Sequence, residues 1–356
     1  MTRTCPLSYI VTCDANFYRE LVRDLPLCNL EKVDKVIQLL LDAEKARGIR
    51  AMMGSIAAQE LLSHLVDSPR SRAYKACLKA SRVLYRHCEE NNQSFRVLPS
   101  PETQVSMEYF GFINQRAIDT QKTIGVIFSE LAKDTSKKTI EKYITQISQT
   151  KQFTYDAENE LIHEVENLCK QIDPNYTNWN LFANDKSKRT KWLNFVRSQS
   201  FKDQTAEAFL TAVYMKIQQL GCPVFTQHQI QQMVPTFVSS YQAGLSLRQF
   251  FWEQFVTVGF DLTTKSRANF LWDEQILYFV GHKIGSEDIV LVTRDKQMRA
   301  AAGRCGLNNY AKSYEEYLDY LGIKEEIEKI KKNKVRDFFR WIRKKIRSLF
   351  KKMKSL

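Results

Sequence analysis

The sequence predicts an α/β protein: a central parallel sheet flanked by helices, interrupted by a mainly α-helical insertion and followed by a basic C-terminal helix. Three observations predict it. "IVLVT" (289–293) is apolar or β-branched at every position, as a strand buried on both faces of a parallel sheet is. "YIVTCD" near the start ends in the same way, with an apolar run that stops at an acid. Between them, from about 107 to 264, Gly and Pro are scarce and helical periodicity dominates.

Residues 8–13 read as the first strand, and from Phe17 the pattern turns helical. "LEKVDKVIQLLLDAEKARG" has apolar residues at helical spacing and stops at Gly48. "IRAMMGSIAAQELLSHLVD" reads as a short extended stretch and then a helix carrying Glu60. "SRAYKACLKASRVLYRHCEE" is a further amphipathic helix, and "SFRVLPSPETQVSMEYFGF" a strand, a proline-marked turn and a new helix. "KTIEKYITQISQ" and "ENELIHEVENLCKQI" are amphipathic helices, while "GCPVF" and "VPTF" read as breaks. The α/β rhythm then returns. A helix runs from about Asp273 to His282, "KIGSED" connects it to the strand Ile289–Thr293, and another helix follows. The expected organisation is core, 1–106; helical insertion, 107–264; core, 265–322; and basic tail, 323–356.

The chain has 356 residues, 44% of them hydrophobic, enough for a large core. No apolar run approaches the roughly 18 residues that span a bilayer, and the N-terminus shows no cleavage pattern, so no signal peptide is expected. Eight cysteines without a C-x-x-C pair point to reduced thiols in a cytoplasmic setting and away from structural zinc. The net charge is +13, but residues 323–356 hold fourteen Lys or Arg against four Asp or Glu, or +10. The basic pI is therefore a property of the tail, not of the whole chain.

Two strands end on acids, Asp14 and Asp295, and ligands of open α/β sheets gather at the carboxyl ends of strands. Glu60 and Asp273 lie on intervening helices. Each acid has an ordinary reading. Asp14 and Asp295 could cap helices, Asp273 could stabilise its own helix N-terminus, and Glu60 could be an exposed helix residue. Their shared order and setting favour a common site.

The same residues resemble the PIN domain, a family of metal-dependent nucleases. "VTCDAN" resembles its opening strand, "IAAQELLSHL" its second acid, and "NFLWDEQILYFVGHKIGSEDIVLVTRDKQM" its closing half. The resemblance covers roughly 6–110 and 266–320. The helical segment between is a departure, as are bulky Gln275, Ile276 and Leu277 after the third acid. It implies a PIN-like fold and an endoribonuclease holding Mg²⁺ or Mn²⁺ through Asp14, Glu60, Asp273 and Asp295, with RNA ahead of DNA as substrate. Asn16 and Thr293 would orient ligands or the scissile phosphate. Hard divalent cations prefer oxygen donors, and clustered carboxylates need a compensating cation.

"RVLYRH" (82–87) resembles the R-x4-H motif of HEPN ribonucleases, but Val83 stands where that family favours a polar residue; a solvated helix face is the reading adopted. His64 and His163 are expected at or near the surface. Trp179, Trp192, Trp252 and Trp272 are expected in the core, and "KSKRTK" (186–191) in a solvated loop. The tail presents an apolar stripe edged by Lys332, Arg340, Arg343, Lys344, Lys345 and Arg347. It suits RNA, an anionic membrane surface or a protein partner. The alternative to a nuclease is a non-catalytic PIN-like or membrane-surface scaffold protein acting through this tail.

Overall fold

Strand β1 (Tyr9–Cys13) is buried along nearly all its length because it has neighbours on both sides. It pairs in parallel with β2 (Arg50–Ala51) and with β6 (Glu287–Val292). The structure is a computed structural model and describes residues 9–25, 30–90, 95–264, 267 and 269–331. Lys332, Arg340, Arg343, Lys344, Lys345 and Arg347 lie outside the described residues.

Met52 donates its N–H to Val11 O at 2.9 Å and carries the chain past β1 into β3 (Met53–Gly54), which pairs in parallel with β4 (Val97–Leu98). On its far side β6 meets β7 (Ala311–Lys312) in parallel and β5 (Lys283–Ile284) antiparallel. The sheet is therefore mixed, a correction to the expected all-parallel arrangement. "KIGSED" is a hairpin, not a plain connection: Gly285 turns the chain at φ +62°, where Gly is unstrained. Its first strand is two residues long, too short to leave a periodic signal.

Helices α1 (Ala15–Leu21), α2 (Leu30–Lys45), α3 (Ser55–Ser63) and α4 (Arg72–Cys88) pack with β1 around Phe17, Tyr18, Leu40, Leu61 and Leu84. Helix α5 (Pro101–Phe110) begins at the expected proline. The helical stretch after it does not bury itself as one body. Helices α6 (Gln115–Lys133) and α7 (Lys137–Lys142), with the start of α8 (Ile144–Ile172), place Phe128, Ile140 and Ile147 in that same first core. Helix α9 (Lys186–Val196), the far part of α8 and α12 (Gln242–Val258) form an aromatic cluster around Trp252, Phe255 and Phe251, with Trp179 and Trp192 against it. Trp272 stands apart and donates Nε1–H to Glu158 at 3.0 Å. "KSKRTK" opens α9; it is not a loop.

Helices α10 (Gln199–Gln218) and α11 (Gln227–Ser240) make a third cluster. Pro235 lies inside α11, so "VPTF" is no break. An interior proline costs about 3 kcal/mol. Burial of Ile230, Val234 and Phe237 in one cluster offsets that, at about 1.5–3 kcal/mol per large side chain.

Helix α13 (Phe270–Leu277) packs on α12, α14 (Lys296–Arg304) follows β6, and α15 (Tyr314–Leu321) follows β7. Ile323 and Ile327 then bury in the first core, so the tail's first helical turns, 324–331, rest on the body.

The R-x4-H pair is not on a solvated face. Arg82 forks onto both oxygens of Asp34 at 3.1 Å, and His87 is 2% exposed, fixed between Tyr18 and Glu44. Glu44 also accepts from Tyr317 at 2.5 Å. His64 is half-buried beside Asp67 and His163 is exposed.

Candidate active site

The parallel register of β1 and β6 sets Cys13 opposite Val292, so the residues just past both strands meet. Asp14 donates its N–H to Val292 O at 3.1 Å. Its carboxylate is 5% exposed and accepts from Phe17 N–H on Oδ1 and from the Thr293 hydroxyl on Oδ2, both at 2.6 Å. Thr293 is fully buried, so it touches Asp14 and not a substrate phosphate. It also accepts the N–H of Asp295 at 2.9 Å, tying the two acids through one hydroxyl.

Asp295 caps α14, accepting on Oδ1 from Gln297 N–H at 2.6 Å and Met298 N–H at 2.9 Å. Its Oδ2 has no hydrogen-bond partner among the described residues. Glu60 falls sixth in the nine-residue α3, not at a helix opening, and pairs with Arg19 at 2.5 Å. Arg19 also donates to exposed Asn16 at 2.6 Å. Asp273 lies in the first turn of α13, which reaches both α3 and α14.

Electrostatics join the four. Burial, offset by the Thr293 and Phe17 hydrogen bonds and reinforced by Glu60, raises the Asp14 carboxyl to about 6. Burial and then the charges of Asp295, Glu60 and Asp14 push Asp273 well above the carboxylate range. The Asp273 backbone N–H donates to Asn269 O at 3.1 Å, but its carboxylate has no hydrogen bond or ion pair among the described residues. The carboxylates bring it like charge only, and a cation would relieve this.

The donor set suits a hard divalent cation: four carboxylates, of which Asp273, Asp295 and Glu60 keep an oxygen that accepts no hydrogen bond among the described residues. It is not drawn together into a cage. Among the described residues, no three His, Cys, Asp or Glu side chains stand as a group that could hold a metal. Glu60 is turned to Arg19, and Asp14 and Asp295 each commit oxygen to helix N–H groups.

Beside the acids is a cleft of about 730 Å³ that sequence reasoning missed. Seven of its eleven described lining residues are Lys or Arg. Arg19 and Asn16 belong to both features, and Arg294 stands between Thr293 and Asp295. The signal was present in "PRSRAYK" (69–75), whose basic residues fall on one end of a helix.

No family model, curated protein or solved structure matches the chain. Among the described residues no helix is long and apolar enough to cross a membrane.

Proposed function

We propose that this protein is a metal-dependent endoribonuclease with a PIN-like core, hydrolysing phosphodiester bonds at a site formed by Asp14, Glu60, Asp273 and Asp295. The observation that carries the reading is the half-buried Asp273 carboxylate, which has no hydrogen-bond partner among the described residues and is pushed up by burial and then by the charges of Asp295, Glu60 and Asp14, in a site where Asp14 and Asp295 stand at the carboxyl ends of β1 and β6. Mg²⁺ or Mn²⁺, when bound, would supply Lewis-acid polarisation of the phosphodiester and a lowered pKa for an attacking water. Asp273, Asp295 Oδ2 and a Glu60 released from Arg19 are the oxygens that would hold it. Thr293 fixes the orientation of Asp14. The six described free thiols agree with a reducing, cytoplasmic compartment.

A second reading has its own observation. Asp14 and Asp295 both make complete N-cap hydrogen bonds, which a non-catalytic PIN-like interaction protein would also need. Cleavage of labelled single-stranded RNA in Mn²⁺ or Mg²⁺, with chelator controls, separates the two. The nuclease reading expects metal-dependent cleavage that disappears in both Asp14→Asn and Asp295→Asn. Binding of Mn²⁺ too weak to detect by calorimetry would sink it.

A further inference from the structure

The basic cleft is walled by two segments. Arg72, Lys75 and Lys79 recur at three- and four-residue spacing and so share one face of α4, with Arg70 just before it. Asn16 and Arg19 form the opposite wall on α1, continued by Arg23. Lys79 is 7% exposed and donates to the carbonyls of Val22 and Leu25 at 2.9 and 2.5 Å, joining the two walls at the base.

The charges are unevenly compensated. Glu20 is the one acid among the described lining residues, and it pairs with both Arg23 and Arg294 at 2.5 Å. Arg19 is held by Glu60. Arg70, Arg72 and Lys75 are exposed and have no ion pair among the described residues. Three like charges along one wall repel each other until a polyanion lies among them. The cleft is concave and of a size, about 300–1,000 Å³, that encloses a small ligand or a short length of one strand. A flat bilayer surface does not enter it, and a single anion engages only part of the row.

We infer that the α1–α4 cleft is the binding track for the phosphate backbone of single-stranded nucleic acid, leading one strand to the acids past Arg19 and Arg294. This deepens the nuclease reading and rests on it for what happens to the strand; binding itself needs none of the four acids. The charge row, not base contacts, supplies the affinity, so binding is salt-sensitive and tolerant of sequence.

The test is anisotropy of labelled single-stranded RNA with the full chain in chelator, over a series of salt concentrations. The variant is Arg70→Ser/Arg72→Ser/Lys75→Ser, whose three side chains are exposed, so the fold should be kept; circular dichroism checks that. For a single strand each lost phosphate contact lowers the salt slope by about 0.7, so the triple variant should lose about 2 from its slope and at least tenfold in affinity. Binding that persists in the variant with a reduced slope belongs to the basic tail and supports the inference. Unchanged affinity and slope overturn it. So does equal loss for duplex RNA, or loss of binding to anionic vesicles with RNA binding intact. Cleft-dependent binding without any metal-dependent cleavage would keep the track and discard the nuclease. Cleavage with cleft-independent binding would do the reverse.

Discussion

Thr293 donates its hydroxyl to Asp14 at 2.6 Å while accepting the Asp295 N–H at 2.9 Å, so one side chain at the end of β6 positions two acids. Thr293→Val keeps the shape and removes both bonds. A buried group left unsatisfied costs about 1–3 kcal/mol, and urea midpoints should report that loss. Thr293→Ser should restore most of the stability, and any RNA cleavage with it.

Asp14 gives a pH signature. Burial holds its folded pKa at about 6, against an ordinary 3.8. The folded chain therefore binds this proton more tightly than the unfolded chain. The associated stability is complete below about pH 4 and is lost as pH rises through about 6, a swing of about 3 kcal/mol. Asp14→Asn should flatten that part of the profile in chelator and leave the variant the more stable protein near neutrality. Urea unfolding of both chains across this range measures it, and parallel profiles would refute the assignment.

Arg19 should separate two affinities. It pairs with Glu60 and also lines the cleft. The pair is part-exposed, so its release is worth about 0.5–1 kcal/mol. Arg19→Gln should therefore bind Mn²⁺ about two- to fivefold more tightly by calorimetry, while binding RNA more weakly. A parallel change in both affinities would show that the pair does not restrain Glu60.

Gly244 tests packing. Replacing Gly by Ala in a helix usually stabilises by about 1 kcal/mol. Here a Cβ would lie 2.6 Å from a ring carbon of fully buried Tyr278. Overpacking costs about 1–3 kcal/mol, so Gly244→Ala should be destabilising in thermal or urea unfolding.

The buried Glu44–His87–Tyr317 group gives a graded series. Tyr317→Phe removes one hydrogen bond and should cost about 1–2 kcal/mol. Glu44→Leu leaves the His87 ring and the Tyr317 hydroxyl without their acceptor and should cost about 3–5 kcal/mol. Equal losses in the two variants would show that the His87 contact contributes nothing.

The parts of the fold legible in the sequence were those with strong local signals. β1 is largely apolar and β6 is apolar from Ile289 to Val292, α2 and α4 have clear stripes, and Ser100–Pro101 announces α5. The hairpin at Gly285 and the helical setting of Pro235 depend on neighbours far away in the chain, and local pattern cannot carry that. Among the acids, order along the chain suggested company, but not the Arg19–Glu60 pair or the lack of a closed cage among the described residues. The cleft was missed because its cations come from positions 19–23, 70–79 and 294, and only folding gathers them.

The pairing of β1 with β6 also has a consequence for synthesis. Strand β1 leaves the ribosome about 280 residues ahead of its long parallel partner. Long-range pairing of this kind forms slowly, and chains of this size pass through partly folded states. Until β6 arrives, Asp14 has no Thr293 and no Asp295. A nascent or truncated chain that stops short of β6 therefore lacks the assembled acids, whatever metal surrounds it.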